Sequence, residues 1–564
     1  MNNPIENPRQ VTSLHGGTRN WVLAVFALLL AALALIPETA SAAGTPCPRP
    51  GIGSVVAPPP DLYSANGVLT VAFNYFTSVD EAGHTLFCFV TPDGQQSPTL
   101  HVNPGDTIKL TLTNMVPAAP PSAPSEIISE ASTHCGSATM TITSVNMHFH
   151  GTNTSPRCHS DEVVHTLINS GKTFVYTVVI PTDEPPGLYW YHPHVHGLAE
   201  AAVQGGASGA IEVEGIANLQ PAVSGLPERF LLVRDQLLTH YKKKSGGTPP
   251  AWDVSLNYVP ILYPQYIPAV IKMHAGAKEF WRVVNASADT ITDLQLVYDG
   301  VAQPLQLVAL DGVPLNSQDG KRQGTIQTQP DIVLPPASRA EFIVTGPQAS
   351  VASAVLRTRA INTGPLGDND PERPLATIET TGSDGALPRT PASAGPANAQ
   401  RFEGLASVTP NARRRLYFSE NPSGKRLFVT VNGQHPTPFN AANPPAITTT
   451  QGSVEDWTIE NHATEEHVFH IHQIHFLVLA VNGVPIPRNR QQFYDTYPVS
   501  FWSGSGPYPS IKVRMDFRGP VTGDFVYHCH ILGHEDAGMM AIIRVLPKSS
   551  AGHFENGSAP AHHV

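Results

Sequence analysis

Charge is what this chain has least of. Only 14% of its 564 residues are Asp, Glu, Lys or Arg, against about a quarter in typical globular proteins. The balance is acidic, -11 at neutral pH. Nucleic-acid phosphates demand basic patches, so the composition argues for no nucleic acid as a partner. Long apolar runs are equally scarce. The single one, Trp21 to Ile36, is short for a membrane span; Arg9 and Arg19 precede it and Ala40-Ser41-Ala42 follows it. That pattern reads as a secretory signal peptide over residues 1–42, the alternative being an uncleaved anchor. No Arg-Arg pair precedes the run, so a twin-arginine route is not supported. With no second run, no stable membrane span is expected after cleavage. The protein is therefore expected to be exported, to a periplasm or out of the cell. Cysteines number only five. In an exported chain Cys47, Cys88, Cys135 and Cys158 suit two disulfides in one of three connectivities; proximity in sequence favours Cys135 with Cys158. Cys529 is left over.

Proline, by contrast, numbers 54, which suits strands joined by Pro-rich loops. Length alone suggests roughly three to four domains. Three segments share one pattern, running from Gly105 to Asn114, from Gly276 to Asn285 and from Gly452 to Asn461. In each, Gly is followed nine residues later by Asn, with alternating apolar residues between. Such alternation marks half-buried strands leaving tight turns. The starts lie 171 and 176 residues apart, too far for a solenoid repeat. Three related all-β sandwich domains are predicted. Leu307-Val-Ala-Leu-Asp-Gly-Val-Pro-Leu315 echoes Val478-Leu-Ala-Val-Asn-Gly-Val-Pro-Ile486, and Gly187 to His194 aligns with Gly523 to His530 without a gap. The expected boundaries are 58–215, 225–380 and 413–547. An Ala/Pro/Gly/Ser-rich linker is expected over 381–412, and a flexible tail over 548–564. Pro117 onward to Cys135 reads as a loop inserted in the first domain.

Ten of the 25 histidines fall in four clusters, two in each terminal domain and none in the middle one. They are His148 with His150; His192 with His194; His467, His470 and His472; and His528, His530 and His534. On a strand, residues two apart share a face, so four strands could aim eight imidazoles at one volume. Neutral imidazole is the commonest metal ligand and suits copper. Cys529 lies between His528 and His530 and would face the opposite way. With His467, His534 and Met539 it forms the ligand set of a blue-copper centre. Taken alone, one Cys among His residues could equally be a structural zinc site or a buried thiol.

The motifs H-x-H-G, W-Y-H-x-H, H-x-x-H-x-H and H-C-H-x-x-x-H-x-x-x-x-M stand here in that order. Over nearly the whole mature chain the sequence resembles the multicopper oxidase family, of which laccases are members. The resemblance implies an all-β fold of three cupredoxin-like Greek-key β-sandwich domains. It implies four copper ions: one type 1 held by His467, Cys529, His534 and Met539, and one type 2 held by His148 and His470. The type 3 pair would be held by His150, His192, His194, His472, His528 and His530. Val468 stands where the family usually has Pro, which should leave ligation unaffected. His196 extends the second cluster to H-P-H-V-H and blurs its register; Tyr191 aligning with Tyr527 favours His192 and His194. His475 and His159 are taken as structural.

The implied reaction is reduction of dioxygen to water with electrons from a small reducing substrate. Glu535, directly after His534, matches a proton-relay carboxylate of the family. Asp161 matches an acid near the trinuclear site, with Glu162 its near competitor. Only eight methionines, scattered, occur, so no Met-rich cuprous-ion insert is present and an organic donor, phenol or aromatic amine, is preferred. Asp495 could hold a donor's proton or a cation, or be structural. The alternatives are a cuprous- or manganous-ion oxidase for metal tolerance and a non-catalytic copper-binding protein. A two-domain nitrite reductase is disfavoured by the third repeat.

Overall fold

A computed structural model describes residues 45–119, 135, 138–238, 249–317, 324–381, 401–421, 423, 424 and 426–548. The expected signal peptide, most of the expected linker, nearly all of the expected tail and most of the expected inserted loop lie outside these residues.

Three pairs of sheets follow one another along the chain. The first pair has four and five strands and lies between Asp61 and Val213. The second has eight and six strands and runs from Glu228 to Thr381; the third has seven and five and runs from Ala412 to Leu546. Each pair encloses its own apolar core, with Phe73, Leu110 and Tyr176 in the first, Trp281, Leu296 and Phe342 in the second and Trp457, Phe469 and Tyr527 in the third. Neighbouring strands are often distant in sequence, so the chain repeatedly crosses from one sheet to the other, as Greek-key connections do.

The Gly-to-Asn repeat is the device that makes one such crossing. Thr99–Val102, Ala269–His274 and Ile447–Thr450 each lie in one sheet of their pair. The strand that follows each, Thr107–Asn114, Lys278–Asn285 or Val454–Asn461, lies in the other. Gly105, Gly276 and Gly452 sit in the turn between, at φ +92°, +67° and +97°, a region where a Cβ is penalised. The terminal Asn then ties the strand end down. Asn114 Nδ2 donates to the carbonyls of Thr143 and Ile168, Asn285 Nδ2 to those of Thr290 and Leu334, and Asn461 Nδ2 to those of Glu465 and Val499. In each case Oδ1 accepts the backbone N–H two residues on, closing an Asx turn. The second echo is also explained. Asp311-Gly312 and Asn482-Gly483 are both at positive φ and close two-residue hairpins, which favour that conformation because it matches strand twist.

Cys47 pairs with Cys88 and Cys135 with Cys158; Cys529 is free and buried. Four strands and one short helix carry the histidine clusters or end beside them: β1 (His148–His150), β2 (Gly187–His192), β3 (His467–Ile471), β4 (Gly523–Cys529) and α1 (Leu532–Asp536).

Candidate metal centres

Strands β1 and β2 pair antiparallel with His148 opposite His192, and β3 pairs with β4 with His470 opposite His528. Alternation aims the histidines of each strand at the seam between the first and third sheet pairs. Phe149 and Cys529, the residues between them, turn into their own cores. Across the seam His148 stacks on His472 with ring centroids 3.8 Å apart, and His150 on His470 at 4.1 Å. His194, His472 and His528 converge more tightly, their Nε2 atoms 3.1–3.2 Å from one another. His530 lies against His150 and His192, with centroids 5.0 and 5.6 Å away. All eight rings are buried.

Hydrogen bonds dictate which nitrogen of four of these rings is left as a lone pair. Nδ1 donates to Asp161 Oδ1 from His148 (3.0 Å), to the Pro193 carbonyl from His192 (2.8 Å), to the Asp495 carbonyl from His470 (2.8 Å) and to the Cys529 carbonyl from His528 (2.9 Å). A neutral ring that donates through Nδ1 keeps Nε2 as acceptor. The Nε2 atoms of His148, His192 and His470 have no protein partner, and neither nitrogen of His530 has one. Burial, reinforced in most cases by neighbouring rings, holds His150, His192, His194, His470, His472 and His530 well below the ordinary imidazole pKa, and takes His528 to about 3. Unprotonated lone pairs, buried and mutually facing, cannot satisfy one another; a cation bound between them can.

The second centre lies on the other face of β4. Cys529 Sγ is 3.6 Å from His467 Nδ1 and 3.7 Å from His534 Nδ1, and those two nitrogens are 3.0 Å apart. An ion about 2.0–2.3 Å from three such donors in a trigonal plane would separate N from S by roughly 3.7 Å, so the sulfur contacts fit one. Met539 is buried in the same core as Cys529, and its carbonyl accepts the Cys529 N–H at 3.1 Å. Burial raises the Cys529 thiol and lowers His534 to about 4. Val468 N–H donates to the sulfur at 3.3 Å, so the departure from Pro at this position has a consequence that local sequence does not reveal.

Of the remaining sequence candidates, Glu535 is fully buried with both oxygens unpartnered. They lie 3.7 Å from His194 Nδ1 and 3.8 Å from His528 Nδ1, and burial first, then Asp536, pushes the carboxyl well above its usual range. Asp161 accepts from His148 and also from Phe149 N–H and Gln473 Nε2. Glu162 instead bonds within its own loop, to His165 N–H and Thr166 Oγ1. His196 stands apart from the converging rings, edge-on to Phe439 at 4.9 Å. His159 stacks on Phe174 at 4.6 Å. His475 bridges units, donating from Nε2 to the Asp311 carbonyl and accepting at Nδ1 from Asn153. Asp495 is fully buried, and Arg339 donates to both of its oxygens.

Sequence reading missed the outer neighbours. His534 is the one candidate ligand with an exposed edge, and its Nε2 lies 3.3 Å from Glu465 Oε1. Glu465 hydrogen-bonds Glu420, whose Oε1 is 3.9 Å from His467 Nε2. Burial, then Glu420, raises Glu465 to about 8. The Glu465-Glu466 pair just before His467 was the available signal; Glu420 carried none.

Sequence profiles described as multicopper oxidase match residues 140–217 and 408–549, the stretches that hold all these histidines. A multicopper oxidase of Staphylococcus haemolyticus is 23% identical over 458 residues, spanning 79% of this chain and 81% of that one. A laccase of Bacillus subtilis is 22% identical, spanning 64% and 71%. Among solved structures, a variant of the McoA multicopper oxidase of Aquifex aeolicus superposes with TM-score 0.64 at 19% identity, covering 87% of this chain and 99% of that one. A multicopper oxidase of Campylobacter jejuni described as a metallo-oxidase does so at 0.63 and 21%, covering 89% and 96%. The structural likenesses agree with the three cupredoxin-like sandwiches. The chain belongs to the multicopper oxidase family and is a copper-dependent oxidoreductase that uses dioxygen.

Proposed function

We propose an exported, laccase-like enzyme that couples one-electron oxidation of a phenol or aromatic amine to four-electron reduction of dioxygen to water. The observation that carries this reading is the back-to-back placement of the two centres on β4. His528 and His530 face one way, Cys529 the other, and the backbone of adjacent residues joins them. His467, Cys529, His534 and Met539 would hold a type 1 copper. His148 and His470 would hold the type 2 ion, and His150, His192, His194, His472, His528 and His530 the type 3 pair. Four coppers, when bound, store the electrons that single-electron donors deliver one at a time.

The protein's own groups then have distinct tasks. His534, with its partly exposed edge, is the contact through which a donor's electron arrives. Glu465 beside it suits a donor that sheds a proton on oxidation, as phenols and aromatic amines do. Glu535, held neutral by burial and facing His194 and His528, is placed to give a proton at the trinuclear centre. Asp161 fixes the His148 ring through Nδ1 and is the second candidate for moving protons there. Two disulfides support export to an oxidising compartment.

The same pair of carboxylates, Glu420 and Glu465, favours a second reading, in which the donor is itself a cation such as cuprous or manganous ion. Oxygen uptake by the copper-loaded protein, measured in parallel with a phenol and with cuprous ion, separates the two. Faster turnover on the phenol supports the organic donor; turnover on cuprous ion alone assigns a metal oxidase. A protein that takes up copper but consumes no oxygen with either contradicts both.

A further inference from the structure

We propose that Arg339, from the sheet pair that holds no candidate ligand, is a positioning residue for the trinuclear centre: through Asp495 it fixes which ring nitrogen His150 presents to the metal. The inference rests on the reading of His150 as a copper ligand.

Among the rings at the seam His150 is turned the other way. His148, His192, His470 and His528 spend Nδ1–H on an oxygen acceptor. His150 instead points Nε2 at Asp495 Oδ1, 3.2 Å away, with Thr496 Oγ1 at 3.5 Å, and its unpartnered nitrogen is Nδ1. A carboxylate is an acceptor only, so the bond to Asp495 makes Nε2 the protonated nitrogen and leaves Nδ1 as the lone pair. Everything then depends on where Asp495 Oδ1 is held. Thr496 Oγ1 donates to it at 2.8 Å, but the rigid constraint is the fork of Arg339, with Nη1 to Oδ1 at 2.8 Å and Nη2 to Oδ2 at 2.5 Å. A two-pronged guanidinium–carboxylate pair fixes both position and plane.

Arg339 is itself anchored. It starts the strand Arg339–Thr345 in the eight-stranded sheet, its Nε donates to the Leu188 carbonyl on β2, and its N–H donates to Asp311 Oδ1. Asp311 Oδ2 also lies 3.3 Å from the N–H groups of Asp495 and Thr496, and His475 Nε2 is 3.6 Å from Asp495 Oδ2. One buried cluster thus ties all three sheet pairs to the His150 ring. It also explains a residue of the H-x-H-G motif. A Cβ on Gly151, whose φ is +85°, would fall against Arg339 Nη2 and 2.6 Å from Asp495 Oδ2, where no Cβ fits without displacing the fork.

The test uses the copper-loaded full chain carrying Arg339→Met, Arg339→Lys or Gly151→Ala. Copper content under chelator competition is read together with the blue thiolate absorption, the type 2 electron paramagnetic signal and the near-ultraviolet type 3 band. Residues that orient a metal-bound histidine typically change metal affinity by about 10–100-fold. Arg339→Met and Gly151→Ala are therefore expected to hold trinuclear copper about 10–100-fold less tightly and to lose the type 3 band while keeping the blue absorption. Arg339→Lys, which keeps the charge and loses the fork, is expected to fall between them and the parent. Unchanged retention and an unchanged type 3 band in Arg339→Met overturn the proposal. So does loss of the blue absorption in step with the rest, which would mark a general folding role. Should Arg339→Met fail to fold, Gly151→Ala decides by the same criteria. A parent that binds only the thiolate-held copper would instead overturn the underlying reading of His150.

Discussion

Val468 donates its backbone N–H to the sulfur of Cys529 at 3.3 Å. Proline, which the resemblance leads one to expect at this position, has no N–H and could not make this bond. Hydrogen bonds to the thiolate are one of the controls on the potential of a blue-copper site. A donor at sulfur stabilises the electron-rich, reduced state, so it raises the potential. Val468→Pro is expected to lower the type 1 potential by on the order of 40 mV, taking a hydrogen bond as about 1 kcal/mol and a one-electron couple. Redox titration of the blue absorption checks it; an unchanged or raised potential contradicts the assignment.

Glu535 offers a different separation. Its carboxyl is pushed up by burial and faces two ring nitrogens from beyond hydrogen-bond reach, the placement from which we propose that it supplies protons. Glu535→Gln is expected to slow oxygen consumption by about 10²–10⁴-fold, the usual contribution of a placed acid or base. Anaerobic bleaching of the blue absorption by the donor should keep its parent rate. If bleaching slows as much as oxygen consumption, the residue acts on electron arrival instead.

His101 gives a pH prediction away from the metal centres. Burial alone would lower its pKa, but bonds to Asp61, Glu212 and Glu214 raise it to about 11. The unfolded value is about 6.5. Because the folded value is the higher one, the stabilisation is fully present below about pH 6.5 and is lost progressively as pH rises towards 11. His101→Gln leaves Glu214 without the cation it faces, while Glu212 keeps Arg282, and should cost about 3–5 kcal/mol at pH 6, as breaking buried pairs does. The gap in thermal midpoint between parent and variant is expected to narrow with rising pH; a gap that widens refutes the pairing.

Much of this was legible in sequence because it is local. The i, i+2 histidine pairs follow directly from strand alternation, and the Gly-to-Asn repeat marks the same sheet crossing three times. Short separation favoured the Cys135–Cys158 pairing without deciding among the three connectivities; the structure holds that pair. What sequence could not supply are relationships between groups that meet only in space. Nothing around Asp495 in sequence points to Arg339, 156 residues away, which donates to both its oxygens. Asp161 and Glu162 differ by one position, yet only the first turns towards His148. Glu420 reaches the His467 ring from a strand with no motif at all. Val468 shows the opposite failure: the departure was visible, but its effect lies in a backbone N–H that no side-chain comparison contains.

The central claim is that one thiolate holds a copper apart from three others held by histidines. The most direct test is the copper-to-protein ratio of the fully loaded parent and of Cys529→Ser, measured side by side. The account predicts four coppers per chain in the parent and three in the variant, with the blue colour gone. Equal ratios in the two, or a parent ratio well short of four, would contradict it.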